Sequence, residues 1–236
     1  VQAVLVPPRW SPSEVDDLLT ATRPVVLLHA GTRPRRTEVP SLDLRSIGPV
    51  AVPGRPGVDV AAPSPAELVV PTSGTTARPR LARLPLACLD ASAAAWCTVL
   101  PPATAWLLSL GLAHVAGLGI VVRAARAGAP VVVPPPDGDL ADAIGRGAGP
   151  ATASTVPPIS HISLVAAQLA RILDLMGDAP APAALRAVIL GGGPIPPRLV
   201  ERALAAGWPV WPSYGATETA SGVVAADPGM ARAHPW

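Results

Sequence analysis

From Trp106 onward the sequence repeats one rhythm: a short apolar run, a helix-length segment, then another short apolar run. Trp106–Leu110, Pro130–Val133, His161–Val165, Leu185–Leu190 and Pro209–Pro212 have the length of strands, and Val115–Ala127, Gly138–Ile144, Ala166–Met176 and Pro197–Ala206 read as the helices between them. Gly128 and Gly207 stand where helices end, as C-terminal caps do. Such alternation predicts an α/β fold with mainly parallel sheets flanked by helices.

Upstream the signals are sparser. Ser11-Pro12-Ser13-Glu14 predicts a helix start, with Ser11 as cap, Pro12 at the first helical position and Glu14 closing a capping box. That helix is expected to reach about Ala21, followed by a buried strand over Pro24–Leu28. Residues 31–67 are rich in Pro, Arg and Gly and read as irregular connection. So long a loop is uncommon in a compact domain, so short strands are expected inside it. Leu68–Val70 reads as the end of a buried strand, and Leu86–Val99 as an Ala-rich helix.

Composition excludes several function classes. Half of the 236 residues are hydrophobic, yet no run is long and clean enough to span a bilayer; Pro85–Leu100 is short and broken by Asp90. No membrane partner and a cytoplasmic location are therefore the expectation. A net charge of +2 without a basic stripe argues against nucleic acid, and the Arg33, Arg35, Arg36 cluster reads as a solvated loop. Cys88 and Cys97 fall nine positions apart on one predicted helix, more than two turns along its axis, too far to bridge; they are expected as reduced core thiols. No metal-ligand spacing of Cys or His occurs. The basic residues are all arginine, with no lysine.

The densest chemistry lies in residues 71–80, Pro71-Thr72-Ser73-Gly74-Thr75-Thr76-Ala77-Arg78-Pro79-Arg80. Hydroxyl donors crowd one glycine, and arginine supplies a planar fork suited to phosphate. The spacing is not that of a Walker loop. A Ser/Thr turn without function fits the same residues equally well.

This stretch resembles the Thr-Ser-Gly-Thr-Thr-Gly-x-Pro-Lys-Gly phosphate loop of the adenylate-forming (acyl-CoA synthetase, AMP-binding) superfamily. Two more of its blocks follow in order: Leu190-Gly191-Gly192-Gly193-Pro194, and Ser213-Tyr214-Gly215-Ala216-Thr217-Glu218-Thr219. The flanks Leu110–Leu118, His161–Val165 with Gln168-Leu169, and Thr217–Ser221 are most similar to the o-succinylbenzoate–CoA ligases of menaquinone synthesis.

The resemblance implies an AMP-forming acid–thiol ligase using ATP, Mg2+ and coenzyme A on a small carboxylic acid. By that likeness Thr72, Ser73, Gly74, Thr75 and Thr76 would hold the β- and γ-phosphates. Gly192, Gly193, Ser213, Tyr214 and Gly215 would frame the nucleotide, with Tyr214 over adenine. Thr217 would reach the α-phosphate and Glu218 would carry the magnesium. Gly191 and His114 would line the acyl pocket. Arg123 could offer charge to a second carboxylate, although a surface position on its helix is the simpler expectation.

The match also departs from the pattern. Arg80 stands where the family has lysine, keeping charge but not point-charge geometry, and Ala77 and Leu81 replace glycines. The ribose-binding aspartate block, hinge and small C-terminal domain of relatives do not follow Ser221. The expectation is therefore an incomplete AMP-binding N-terminal domain over residues 1–236, inactive or weak alone. The alternatives are another aryl- or acyl-CoA ligase, or a non-catalytic nucleotide-binding remnant. Oligomeric state is left open.

Overall fold

A computed structural model describes residues 2–6, 11, 13–16, 26–29, 41–43, 67–72, 80–134, 139–146, 157–177 and 179–234. These residues build two sheets with helices packed on them, the α/β architecture that the alternation predicts.

The first sheet has strand order β3-β2-β1-β4-β5. Its strands are β1 Gln2–Val6, β2 Val26–His29, β3 Ser41–Asp43, β4 Glu67–Thr72 and β5 Arg80–Pro85. All pairs are parallel except β4–β5, an antiparallel hairpin that runs from Glu67↔Pro85 to Thr72↔Arg80. Neither β1 nor β5 is legible in the sequence as a strand, while β3 is one of the short strands expected within residues 31–67. The capping box at the first helix start is present: Ser11 N–H donates to Glu14 Oε2 at 2.7 Å and Glu14 N–H to Ser11 Oγ at 3.3 Å. Residues 13–16 are helical, and the expected extension to Ala21 lies outside the described residues.

The second sheet has order β11-β10-β9-β8-β6-β7. It comprises β6 Trp106–Leu107, β7 Val131–Val132, β8 His161–Leu164, β9 Ala187–Leu190, β10 Val210–Ala216 and β11 Ser221–Ala225. It is parallel from β7 to β10, and β11 returns antiparallel along β10. The helices are α1 Leu86–Val99, α2 Val115–Ala127, α3 Leu140–Arg146, α4 Ala166–Met176, α5 Pro197–Ala205 and α6 Pro228–Ala233. β11 and α6 carry no clear signal in the sequence. β10 continues well past Pro212, so Tyr214-Gly215 lies within a strand. Among the described residues no helix is long and apolar enough to cross a membrane.

Both faces of this sheet are covered, which explains why its strands are continuously apolar. Along β9 the side chains alternate by strand geometry: Val188 and Leu190 enter one core, with Leu169, Ile172, Leu173, Val200, Leu204 and Trp208. Ala187 and Ile189 face the opposite core, with Trp96, Trp106, Ile120, Ala124 and Trp211. A third cluster of Val70, Leu84, Leu89, Leu118 and Ala220 joins the first sheet to α1, α2 and the turn before β11. The cysteines depart from expectation. Cys88 is exposed and Cys97 half-buried on α1, both as free thiols. The buried stripe of that helix runs through Leu89, Ala93 and Trp96, spaced four and three apart, and Cys88 lies beside it.

Candidate active site

The parallel strands β6, β8, β9 and β10 all end at one edge of the second sheet, the edge where open α/β sheets form their ligand crevices. Gln168 ties two of these ends together: its Oε1 accepts from Val165 N–H at 3.1 Å and its amide donates to Ser109 C=O at 3.0 Å. Ser109 Oγ also hydrogen-bonds Ser163 C=O.

Gly191 follows β9, and Ser213 lies in β10 directly beside it. Ser213 Oγ donates to Leu190 C=O at 3.0 Å, and a Cβ on Gly191 would lie 2.6 Å from that hydroxyl oxygen. A side chain there would displace Ser213, so glycine is required by contact. Gly192 has φ of +80°, and beyond it the backbone at Gly193 faces open space. Tyr214, next on β10, is 68% exposed.

Gly215 sits where the β10–β11 register shifts. A Cβ there would collide with Ser221 C=O, so only glycine lets β11 close onto the strand. Thr217–Thr219 forms a single 3-10 turn, fastened by Thr219 Oγ1, which accepts from Ala216 N–H at 2.9 Å and lies 2.8 Å from Ser221 C=O. Ala220 and Ser221 then take φ of 55° and 107°, rare for side-chain-bearing residues. Local strain of this kind gathers at functional sites. It is held here because Ala220 is buried against Val70, Leu84, Leu89 and Leu118.

That burial joins two blocks far apart in sequence. The Thr217–Thr219 turn packs against β5, the strand that begins at Arg80. Thr72 and Arg80 pair as the last described residues of the hairpin, with Thr72 Oγ1 donating to Arg80 C=O at 3.2 Å. Ser73, Gly74, Thr75 and Thr76 lie outside the described residues. His114 is exposed at the N-terminus of α2, one turn before Leu118, which shares the cluster of Ala220. The structure thus packs the Thr217–Thr219 turn onto the strand that begins at Arg80, and joins Ala220 to Leu118 of α2, the helix that His114 precedes. It places Gly191, Gly192, Gly193, Ser213, Tyr214 and Gly215 along the adjoining strand ends.

Glu218 is exposed, and among the described residues no hydrogen bond or ion pair engages its carboxylate. One free carboxylate beside a hydroxyl residue suits magnesium, which takes few protein ligands and completes its shell with water and phosphate oxygens.

The largest departure from the sequence reading is Arg123. It is only 2% exposed and faces the sheet, not solvent. Its guanidinium lies between two indoles, with Cζ 5.3 Å from the ring centroids of Trp96 and of Trp106. Nη2 reaches Ser163 Oγ at 3.4 Å, and Nε has no partner among the described residues. Burial pushes its pKa down from the ordinary arginine range to about 10. Among the described residues no carboxylate pairs with it. Gly119, one turn earlier on α2, leaves the space it occupies: a Cβ there would sit 3.0 Å from Nη2. Gly119, Ile120 and Ala124 on the same helical face were the available signal, since that face is apolar.

Beside it His161 is fully buried, with Nδ1 2.9 Å from Ser160 Oγ and its ring 4.7 Å from Trp106. Desolvation is the main cause that lowers its pKa to about 4, so it is neutral.

Known proteins share the architecture of this chain. The family model described as AMP-binding enzyme matches residues 1–235. The probable 2-succinylbenzoate–CoA ligase of Mycobacterium tuberculosis is 38% identical over 200 residues, covering 82% of this chain and 48% of that protein. The 2-succinylbenzoate–CoA ligase of Haemophilus influenzae is 37% identical over 121 residues, 51% of this chain and 24% of that protein. Among solved structures, the o-succinylbenzoate CoA synthetase of Bacillus subtilis in complex with its acyl-adenylate intermediate superposes with a TM-score of 0.77 at 25% identity, covering 99% of this chain and 47% of that one. The same enzyme in complex with ATP and magnesium gives 0.75 at 26% identity, covering 99% and 48%. The chain spans about half the length of the M. tuberculosis and B. subtilis relatives.

Proposed function

Because the chain belongs to the AMP-binding enzyme family, we propose that it forms the nucleotide- and acid-binding part of an AMP-forming acid–CoA ligase, with 2-succinylbenzoate as the acid. The reaction joins the carboxylate to the α-phosphorus of ATP, expels pyrophosphate, and then transfers the acyl group to the thiol of coenzyme A. The first step makes little demand for covalent chemistry by the protein; it needs in-line placement and neutralisation of charge.

In this reading Thr72 and the hydroxyl loop after it grip the β- and γ-phosphates, and Arg80 supplies cationic charge at the loop end of the hairpin. Thr217 contacts the α-phosphate. Glu218 holds magnesium, which when bound would neutralise polyphosphate charge. Tyr214 covers adenine, Ser213 and Gly215 shape the strand beneath it, and Gly191, Gly192 and Gly193 let nucleotide and acyl group approach the backbone. His114 lines the acid's entry.

The observation that carries the choice of acid is Arg123. Among the described residues no carboxylate pairs with this guanidinium, and a buried unpaired cation is costly unless a ligand compensates it. 2-Succinylbenzoate carries two carboxylates, so one can be activated while the other pairs with Arg123, flanked by Trp96 and Trp106. A monoacid would leave the guanidinium unpaired. The test is acid-dependent ATP–pyrophosphate exchange by the protein as its gene encodes it, comparing 2-succinylbenzoate with benzoate and with hexanoate. Exchange is expected to be stimulated by the diacid at least tenfold more than by either monoacid. Equal stimulation by all three would overturn the substrate assignment, and no stimulation by any acid would favour the nucleotide-binding remnant.

A further inference from the structure

Trp96 touches both halves of the site. Its ring face lies against the Arg123 guanidinium, and its indole N–H donates to Gly222 C=O at 3.1 Å. Gly222 stands on β11 directly opposite Gly215 of β10. It is also packed tightly onto the same indole: a Cβ on Gly222 would lie 2.6 Å from Trp96 Cζ2. Trp96 itself is 5% exposed and projects from α1, which packs against α2, β5 and β11. A single rigid aromatic plane therefore spans from the cation of the acid side to the strand that backs Tyr214, Gly215 and the Thr217–Thr219 turn.

The two contacts are chemically separable. The ring face holds the guanidinium through its π-electrons, an interaction that strengthens on desolvation. The N–H fixes a backbone carbonyl of the β10–β11 hairpin, and losing it leaves that carbonyl without its partner.

We propose that Trp96 is a positioning residue that sets the acid-binding guanidinium and the nucleotide-binding hairpin in register, the ring face acting on the first and the indole N–H on the second. This rests on the assignment of Arg123 to the acid and of residues 213–218 to ATP. Trp96 touches neither substrate; it acts through Arg123 and Gly222.

The experiment is steady-state exchange kinetics on the protein as its gene encodes it, with KM for ATP and for the acid measured separately. Trp96→Phe keeps an aromatic face but removes the donor. It is expected to raise KM for ATP about fivefold, the worth of one lost hydrogen bond, and KM for the acid less than twofold. Trp96→Leu removes both contacts and is expected to raise KM for the acid about tenfold as well. A second probe does not depend on these variants alone. Gly222→Ala forces a methyl against the indole and is expected to raise both KM values in the native background, but to do so less in Trp96→Leu, where the obstructing ring is gone. The proposal is overturned if Trp96→Phe shifts both KM values equally or neither, or if Gly222→Ala is as harmful without the indole as with it. Arg123→Lys, run in parallel, separates the two levels: an unchanged KM for the acid sinks the underlying acid-site reading, whereas a raised one with inert Trp96 variants sinks only the role of Trp96.

Discussion

Replacing Arg123 by methionine is expected to stabilise the protein while weakening its hold on the acid. The guanidinium is 2% exposed, its Nε has no partner among the described residues, and burial pushes its pKa below the ordinary arginine range to about 10. At about 1.4 kcal/mol per tenfold change, holding the charge in place costs about 3 kcal/mol. The sign follows from the direction of the shift. The folded state binds this proton less tightly than the unfolded state, so the penalty is fully present below about pH 10 and is relieved only at higher pH. Against it stand two indole contacts at 5.3 Å, each worth about 0.5–2 kcal/mol. Methionine keeps much of the volume, gains apolar burial and needs no partner. The net expectation is a gain of about 1–2 kcal/mol, or roughly 2–6 °C in Tm. Thermal melting of the ligand-free protein at pH 7 measures the first effect, and titration of acid-dependent pyrophosphate exchange measures the second. A variant that melts lower than the native protein, or that uses the acid unchanged, would refute the reasoning that the buried cation is kept for its ligand.

His161 gives a pH dependence. Its folded pKa of about 4 lies below the ordinary 6.5, so its contribution is whole above about pH 6.5 and is lost as pH falls towards 4. The loss should total about 3 kcal/mol. Melting curves at pH 5 and 7 should therefore converge in His161→Gln and diverge in the native protein. Gly191→Ala would drive a methyl to 2.6 Å from Ser213 Oγ, and exchange rates should drop at least about tenfold, since small misplacements at a reacting centre are costly. His114→Ala should raise KM for the acid more than for ATP; equal losses would remove His114 from the acid site.

By itself the sequence determined the α/β class, because period and length distinguish buried strands from helices without knowledge of their neighbours. It placed Leu86–Val99, Val115–Ala127 and Ala166–Met176 with the bounds seen in the structure. It also supplied the ordered motifs that mark the family, since hydroxyl, glycine and carboxylate residues in those blocks are local in the chain. β5 and β11 escaped notice because each is made a strand by its antiparallel partner: Arg80–Pro85 carries arginine at every third position, not the two-residue period of a strand, and Ser221–Ala225 leaves Val223 and Val224 exposed. The joining of the 3-10 turn to the β4–β5 hairpin depends on Ala220 reaching Val70 and Leu84, a contact across more than a hundred residues that no local pattern encodes. Arg123 shows the limit most sharply. In sequence it is one arginine on a helix; only the packing of α1, α2 and the sheet decides that it is enclosed by Trp96 and Trp106. The electrostatic cost that gives it meaning arises from that enclosure, because the energy of a charge is set by the dielectric and the partners around it.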